Sequence, residues 1–144
     1  MTIRQWTGAG TGPRAVILVR VLVGAVFLSE GIQKFLFPAA LGVGRFTKIG
    51  LPWPHVLAPL VGTVEIACGA LVILGLFIRL AAIPLLTIIS VAIWATKLPM
   101  LSTQGFWAMA HEARTDWCMW LGALFLILVG PGPWSIDGVR SRRR

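Results

Sequence analysis

Four ionisable residues stand inside stretches apolar enough to cross a bilayer: Arg20, Glu30 and Lys34 in one, Glu65 in the next. A charge at the centre of a span is unfavourable by roughly 2.5–3.5 kcal/mol on insertion scales, so it must be paired, face a cavity or have a function. Two acids and two bases can simply cancel. They can also do chemistry. A buried carboxyl such as Glu65 can handle protons, and Arg20, Gln33 and Lys34 carry the N–H donors that a quinone carbonyl needs. The candidate site is therefore a polar seam of Arg20, Glu30, Lys34 and Glu65, with Arg20, Gln33, Lys34 and Glu65 as candidates for a quinone niche. None of them is marked by the sequence as catalytic.

Other chemistries find less support. His55 and His111 are the only histidines, and both fall in expected connections rather than within spans, where haem between helices would need them. His111-Glu112 lacks the second histidine of a zinc-protease helix. Cys68 and Cys118 form no CxxC pair, so neither a zinc nor a thioredoxin-like site is expected. No metal site is expected. The run Gly8-Ala9-Gly10-Thr11-Gly12 has the composition of a phosphate loop, but no strand precedes it.

Helical spacing gathers the seam. Arg20, Gly24, Phe27, Gly31 and Lys34 follow a 4-3-4-3 rhythm, and Ala58, Gly62, Glu65, Gly69, Val72, Leu76 and Arg79 continue the same rhythm in the second stretch. Such stripes are helix–helix seams, and glycines on them let membrane helices approach closely. At about 1.5 Å per residue, Glu65 falls near mid-membrane, Arg20 about 8 Å to one side and Glu30 about 7 Å to the other. The expected contacts are Arg20 with Glu65 and Glu30 with Lys34, the latter an i,i+4 pair.

The elements that must position these residues are spans of about 20 apolar residues. Ala15 to Phe37, Val56 to Phe77 and Leu80 to Leu98 qualify. A shorter fourth, Trp117 to Gly130, is expected to extend back through Arg114. Pro38 to His55 is a long connection, Ile78-Arg79 a tight turn, and Pro99 to Ala113 a polar and aromatic link with a short interfacial helix near Phe106 to Ala113. The expected fold is all-α, a membrane four-helix bundle of residues 15–138. A flexible tail of residues 1–14 precedes it and a basic tail of residues 139–144 follows.

Composition agrees. Of the 144 residues 57% are hydrophobic and only 12% charged, about half the charged share of soluble domains, and mean hydropathy is +0.84. The net charge of +8 does not point to nucleic acid, because the basic residues lie at segment ends and tails. Arg4, Arg14, Arg79, Arg140, Arg142, Arg143 and Arg144 would share one side, against Arg45, Lys48, Lys97 and Arg114 on the other. The positive-inside rule then places both termini in the cytoplasm. Trp53, Trp107, Trp117 and Trp120 would form an aromatic belt at the outer interface.

Three runs resemble the DoxX/DoxD-like family. They are Arg20-x3-Gly24-x2-Phe27-x3-Gly31-x2-Lys34-Phe35 followed by Gly44-Arg45-Phe46-x2-Ile49-Gly50, then Gly62-x2-Glu65-x3-Gly69-x5-Gly75-x3-Arg79, and the close Gly130-Pro131-Gly132-Pro133-Trp134-Ser135-Ile136-Asp137. The resemblance covers roughly residues 15 to 138. It implies a four-helix integral membrane protein. It also implies association with quinone-linked redox systems, such as a terminal quinol oxidase, a thiosulfate:quinone oxidoreductase, or an oxidative-stress complex with a superoxide dismutase and a sulfurtransferase. It carries over no catalytic residue.

The expected role is an integral subunit of such a system, multi-pass in a bacterial or archaeal plasma membrane. It would anchor other membrane or redox subunits and offer a quinone or proton niche, with a homo-oligomer possible. A structural membrane adaptor without activity of its own is the alternative. A small transporter ranks third, since no inverted repeat or broken helix is visible.

Overall fold

A computed structural model describes residues 13–142. All regular structure among them is helical: α1 (Val16–Leu36), α2 (Val43–Lys48), α3 (Pro54–Leu74), α4 (Ile78–Gln104), α5 (Phe106–Glu112), α6 (Arg114–Val129) and α7 (Ile136–Arg142). Helices α1, α3 and α4 are long and apolar enough to cross a membrane. Helix α6, with 16 residues, rises about 24 Å, less than the roughly 30 Å of a hydrocarbon core.

The four long helices pack as a ring, α1 on α3, α3 on α4, α4 on α6 and α6 on α1. Val23, Phe27, Val72, Leu85, Met119 and Leu126 fill its centre. Leu18, Leu22, Val56, Leu60, Leu80, Leu121 and Leu128 point outward and are exposed, as suits helices whose solvent is lipid.

The α1–α3 seam follows the glycine stripes. A methyl group on Gly31 would lie 2.7 Å from the Gly62 carbonyl oxygen, and one on Gly69 would lie 2.9 Å from that of Gly24. The backbones therefore touch where only hydrogen fits. These contacts also fix an antiparallel register, Gly24 beside Gly69 and Gly31 beside Gly62.

At the end of the ring that carries α7, α3 stops at Gly75 (φ +75°) and α4 starts after Phe77 (φ +49°). A left-handed backbone is unusual for a phenylalanine. It is held there by Asp137, whose carboxylate accepts from Phe77 N at 2.7 Å and whose N–H donates to Gly75 O at 3.1 Å. The second span thus ends at Leu74, three residues before the predicted Phe77.

At the other end, α4 continues through Pro99 to Gln104 rather than stopping at Leu98. The Ser102 and Thr103 hydroxyls bond to the Pro99 carbonyl and Thr96 to that of Ala92. Helix α2 adds an unpredicted turn inside the long connection. Helix α5 falls at the expected short helix near Phe106 to Ala113, and α6 starts at Arg114. Residues 139–142, predicted as tail, complete α7. Residues 1–12 of the predicted N-terminal tail, and residues 143–144, lie outside the described residues.

Of the four tryptophans expected at the outer interface, Trp53, Trp107 and Trp117 are exposed. Trp120 is half-buried. Its ring turns inward and Nε1 donates to Ser90 Oγ on α4 at 3.0 Å, because a half-buried indole N–H needs a partner.

Candidate functional site

Lys34 ends the polar stripe of α1, and its Nζ lies 2.6 Å from Glu65 Oε2 on α3. The side chains are 11% and 4% exposed. At this distance an ammonium and a carboxylate form a short, charge-assisted contact. Glu30, half-exposed, is the second carboxylate near Lys34, at 3.9 Å. Lys34 thus stands between a buried acid and a more exposed one.

This pair lines a cavity of about 700 Å³ at the end of the ring that carries α2 and α5. That volume falls within the roughly 300–1,000 Å³ of small-molecule sites. Apolar walls come from all four long helices, with Phe27, Val61, Ile89 and Met119 among them. Phe46 of α2 packs over it and is itself buried. On the α4–α6 side the cavity meets a second ion pair, Lys97 Nζ with Asp116 Oδ2 at 3.1 Å. Arg45 of α2 and Glu112 of α5 complete the charged lining.

The expected Arg20–Glu65 contact does not form. Arg20 is buried at 2% exposure, and its guanidinium serves carbonyls instead. Nε donates to Val72 O at 3.1 Å, Nη2 to Ile73 O at 2.6 Å, and Nη1 to Trp134 O at 2.5 Å and Pro131 O at 3.4 Å. Two of these acceptors are last-turn carbonyls of α3, of which that of Val72 also accepts the Gly75 N–H at 3.2 Å, and a cation there opposes the negative end of the helix dipole. The other two belong to the Gly130–Asp137 turn. Arg20 therefore ties α1, α3 and that turn together, outside the cavity.

Gln33 is also outside it; Nε2 donates to Ser29 Oγ at 2.8 Å on its own helix. Of the residues proposed for a quinone niche, Lys34 and Glu65 line the cavity and Arg20 and Gln33 do not. The Lys97–Asp116 pair was missed because both residues sit beside the predicted interface. A signal was present: Ile78, Ala82, Leu85 and Ile89 form a buried 4-3-4 stripe, and two further steps of four reach Lys97. The histidines stay apart, His55 in the first turn of α3 and His111 in α5, both exposed. Among the described residues no group of three or more His, Cys, Asp or Glu could hold a metal ion.

The DoxX family model matches residues 15–98, which takes in α1, α2, α3 and α4 as far as Lys97 and Leu98. The chain is also 54% identical over 138 residues to the "Uncharacterized membrane protein Rv3486" of Mycobacterium tuberculosis, a match covering 92% of this chain and 85% of that one. No solved structure matches. The glycine seam, the Lys34–Glu65 pair and Arg20 all lie within the family match, and on these grounds the chain is a membrane protein of the DoxX family.

Proposed function

We propose that this chain is an integral membrane subunit of a quinone-linked redox or oxidative-stress system, spanning the plasma membrane four times with both termini in the cytoplasm. It anchors partner subunits and offers them a quinone site. The observation that carries this reading is a nearly buried acid–base pair set in the wall of a cavity that is otherwise largely apolar. A quinone head group has the matching chemistry, a flat apolar ring with carbonyl acceptors.

Lys34 is placed to donate to a carbonyl oxygen, and Glu65 to take up or return a proton beside it. Glu30, half-exposed and near Lys34, connects the pair toward the surface. A quinone supplies two-electron, two-proton chemistry, and the electrons pass to or from a redox group of a partner subunit.

The test is binding of a quinone to the purified chain in lipid nanodiscs, followed by proton uptake when the bound quinone is reduced. Wild type should bind, and Glu65→Gln, which keeps the shape, should retain its fold but lose most of the proton uptake. Unchanged uptake in Glu65→Gln would remove Glu65 from this role. Absence of quinone binding in wild type would favour the alternative of a structural membrane adaptor. That alternative is supported by the internal cancellation of charge, in which each cavity lysine already has a carboxylate.

A further inference from the structure

The two halves of the ring share several features, although the arginine and lysine stand 14 residues apart in α1 and 18 in α4. Helices α1 and α4 run parallel, each from an arginine at the α7 end of the ring to a lysine at the other, Arg20 to Lys34 and Arg79 to Lys97. Each arginine donates to last-turn carbonyls of the next long helix, Arg20 to Val72 and Ile73 of α3, Arg79 Nη2 to Leu128 of α6 at 3.4 Å. Each lysine pairs with a carboxylate of that same helix, Glu65 at 2.6 Å and Asp116 at 3.1 Å. A short helix begins nine residues after each lysine, α2 at Val43 and α5 at Phe106. Both second helices close on a glycine with positive φ, Gly75 and Gly130.

The consequence is a cavity with two matching walls. Helices α1 and α4 lie diagonally across the ring. Their lysines are alike in exposure, 11% and 12%, and both line the one cavity. We propose that Lys97 with Asp116 is the second half of the ligand site, so that the cavity takes a flat head group carrying a hydrogen-bond acceptor at each of two opposed ends, one for each ammonium. This rests on the quinone reading above and narrows it. Both carbonyls of the head group are recognised, each by a lysine held in place by its own carboxylate.

The probes are para-naphthoquinone and alpha-tetralone, two-ring compounds of similar size with two carbonyls and one. Their binding is measured to the full chain in nanodiscs. Wild type should prefer the two-carbonyl ligand by roughly tenfold, the low end expected for one hydrogen bond to a charged group. Lys97→Met should abolish that preference and leave tetralone binding within about twofold of wild type. The double variant Lys97→Met with Asp116→Leu removes both charges and should behave the same, which guards against loss of fold from a stranded carboxylate. A preference that survives in both variants overturns the role of Lys97 while the quinone reading stands. Equal binding of the two ligands by wild type also overturns the inference. Binding of neither overturns the quinone reading and the inference with it.

Discussion

Lys34 reaches Glu65, and Arg20 does not, because helical side chains lean toward the N-terminus of their own helix. In the antiparallel α1–α3 pair, Lys34 leans inward from the α2 end while Glu65 leans outward toward it, and their tips converge to 2.6 Å. Arg20 leans the other way, onto the carbonyls of Val72 and Ile73. In the register that sets Gly24 beside Gly69 and Gly31 beside Gly62, the two cations lie on opposite sides of Glu65, and lean carries one toward it and the other away. The pair's energetics follow from its burial. Removing one partner of a buried ion pair costs roughly 3–5 kcal/mol, whereas replacing both with apolar residues is often neutral or better. Lys34→Met should therefore destabilise the protein by about 3 kcal/mol. The double variant Lys34→Met with Glu65→Leu should recover most of that while binding no quinone. Chemical denaturation in detergent reads the stability and nanodisc binding reads the function. A double variant that recovers stability and still binds quinone would show that the pair is structural alone.

Helices meet closely where the sequence places glycine every seven residues, and this is the part of the fold most legible beforehand. The stripes through Gly24 and Gly31 and through Gly62 and Gly69 are the buried faces of α1 and α3. A period of 4-3-4-3 can only be met by a helix packed along one side. Expected boundaries erred where a long-range partner decides them. The end of α3 at Leu74 depends on Asp137, 60 residues beyond Phe77, and the span's composition holds no trace of that bond. The polar seam was legible as residues but not as a cavity, since its α4–α6 wall, Lys97 and Asp116, lies in what reads as interfacial sequence. The Gly130–Asp137 close was visible as a motif; its role, carbonyls for Arg20 and a carboxylate for Phe77, required the fold. Backbone contact makes the seam intolerant. Gly31→Ala would set a methyl 2.7 Å from Gly62 O and 2.9 Å from Ile66 N, so α1 and α3 must separate, at about 1–3 kcal/mol. Gly122→Ala meets a Val23 methyl at 2.6 Å and no backbone atom of another helix within 4 Å, so a side chain must shift while the two backbones need not separate. Thermal midpoints in detergent should fall clearly more for Gly31→Ala than for Gly122→Ala; the reverse order would mean that side chains, not backbones, set the seam.

On the scale of the whole molecule, the ring has two unlike ends. One carries Arg14, Arg79 and α7 with its arginines, where the Arg14 guanidinium also lies over the Trp134 ring at 5.7 Å. The other carries Arg45 and Lys48 of α2, Lys97 and Arg114. With Arg4, Arg143 and Arg144, which lie outside the described residues, assigned to the first side by sequence, the counts are seven and four, and four of the seven are Arg140, Arg142, Arg143 and Arg144. Cavity acids do not alter the comparison, because Asp and Glu contribute little to topology. The orientation therefore hangs on the C-terminal run. A fluorescent protein that folds only in the cytoplasm, fused after Arg144, should be bright, and a cysteine placed at Gly105, exposed between α4 and α5, should react with an impermeant thiol reagent on intact cells. With the four tail arginines replaced by glutamine the balance becomes three against four. The fusion should then lose a large share of its fluorescence as chains insert in both orientations. Undiminished fluorescence with unchanged labelling would mean that α1 alone, entering behind Arg4 and Arg14, commits the topology before the tail is made.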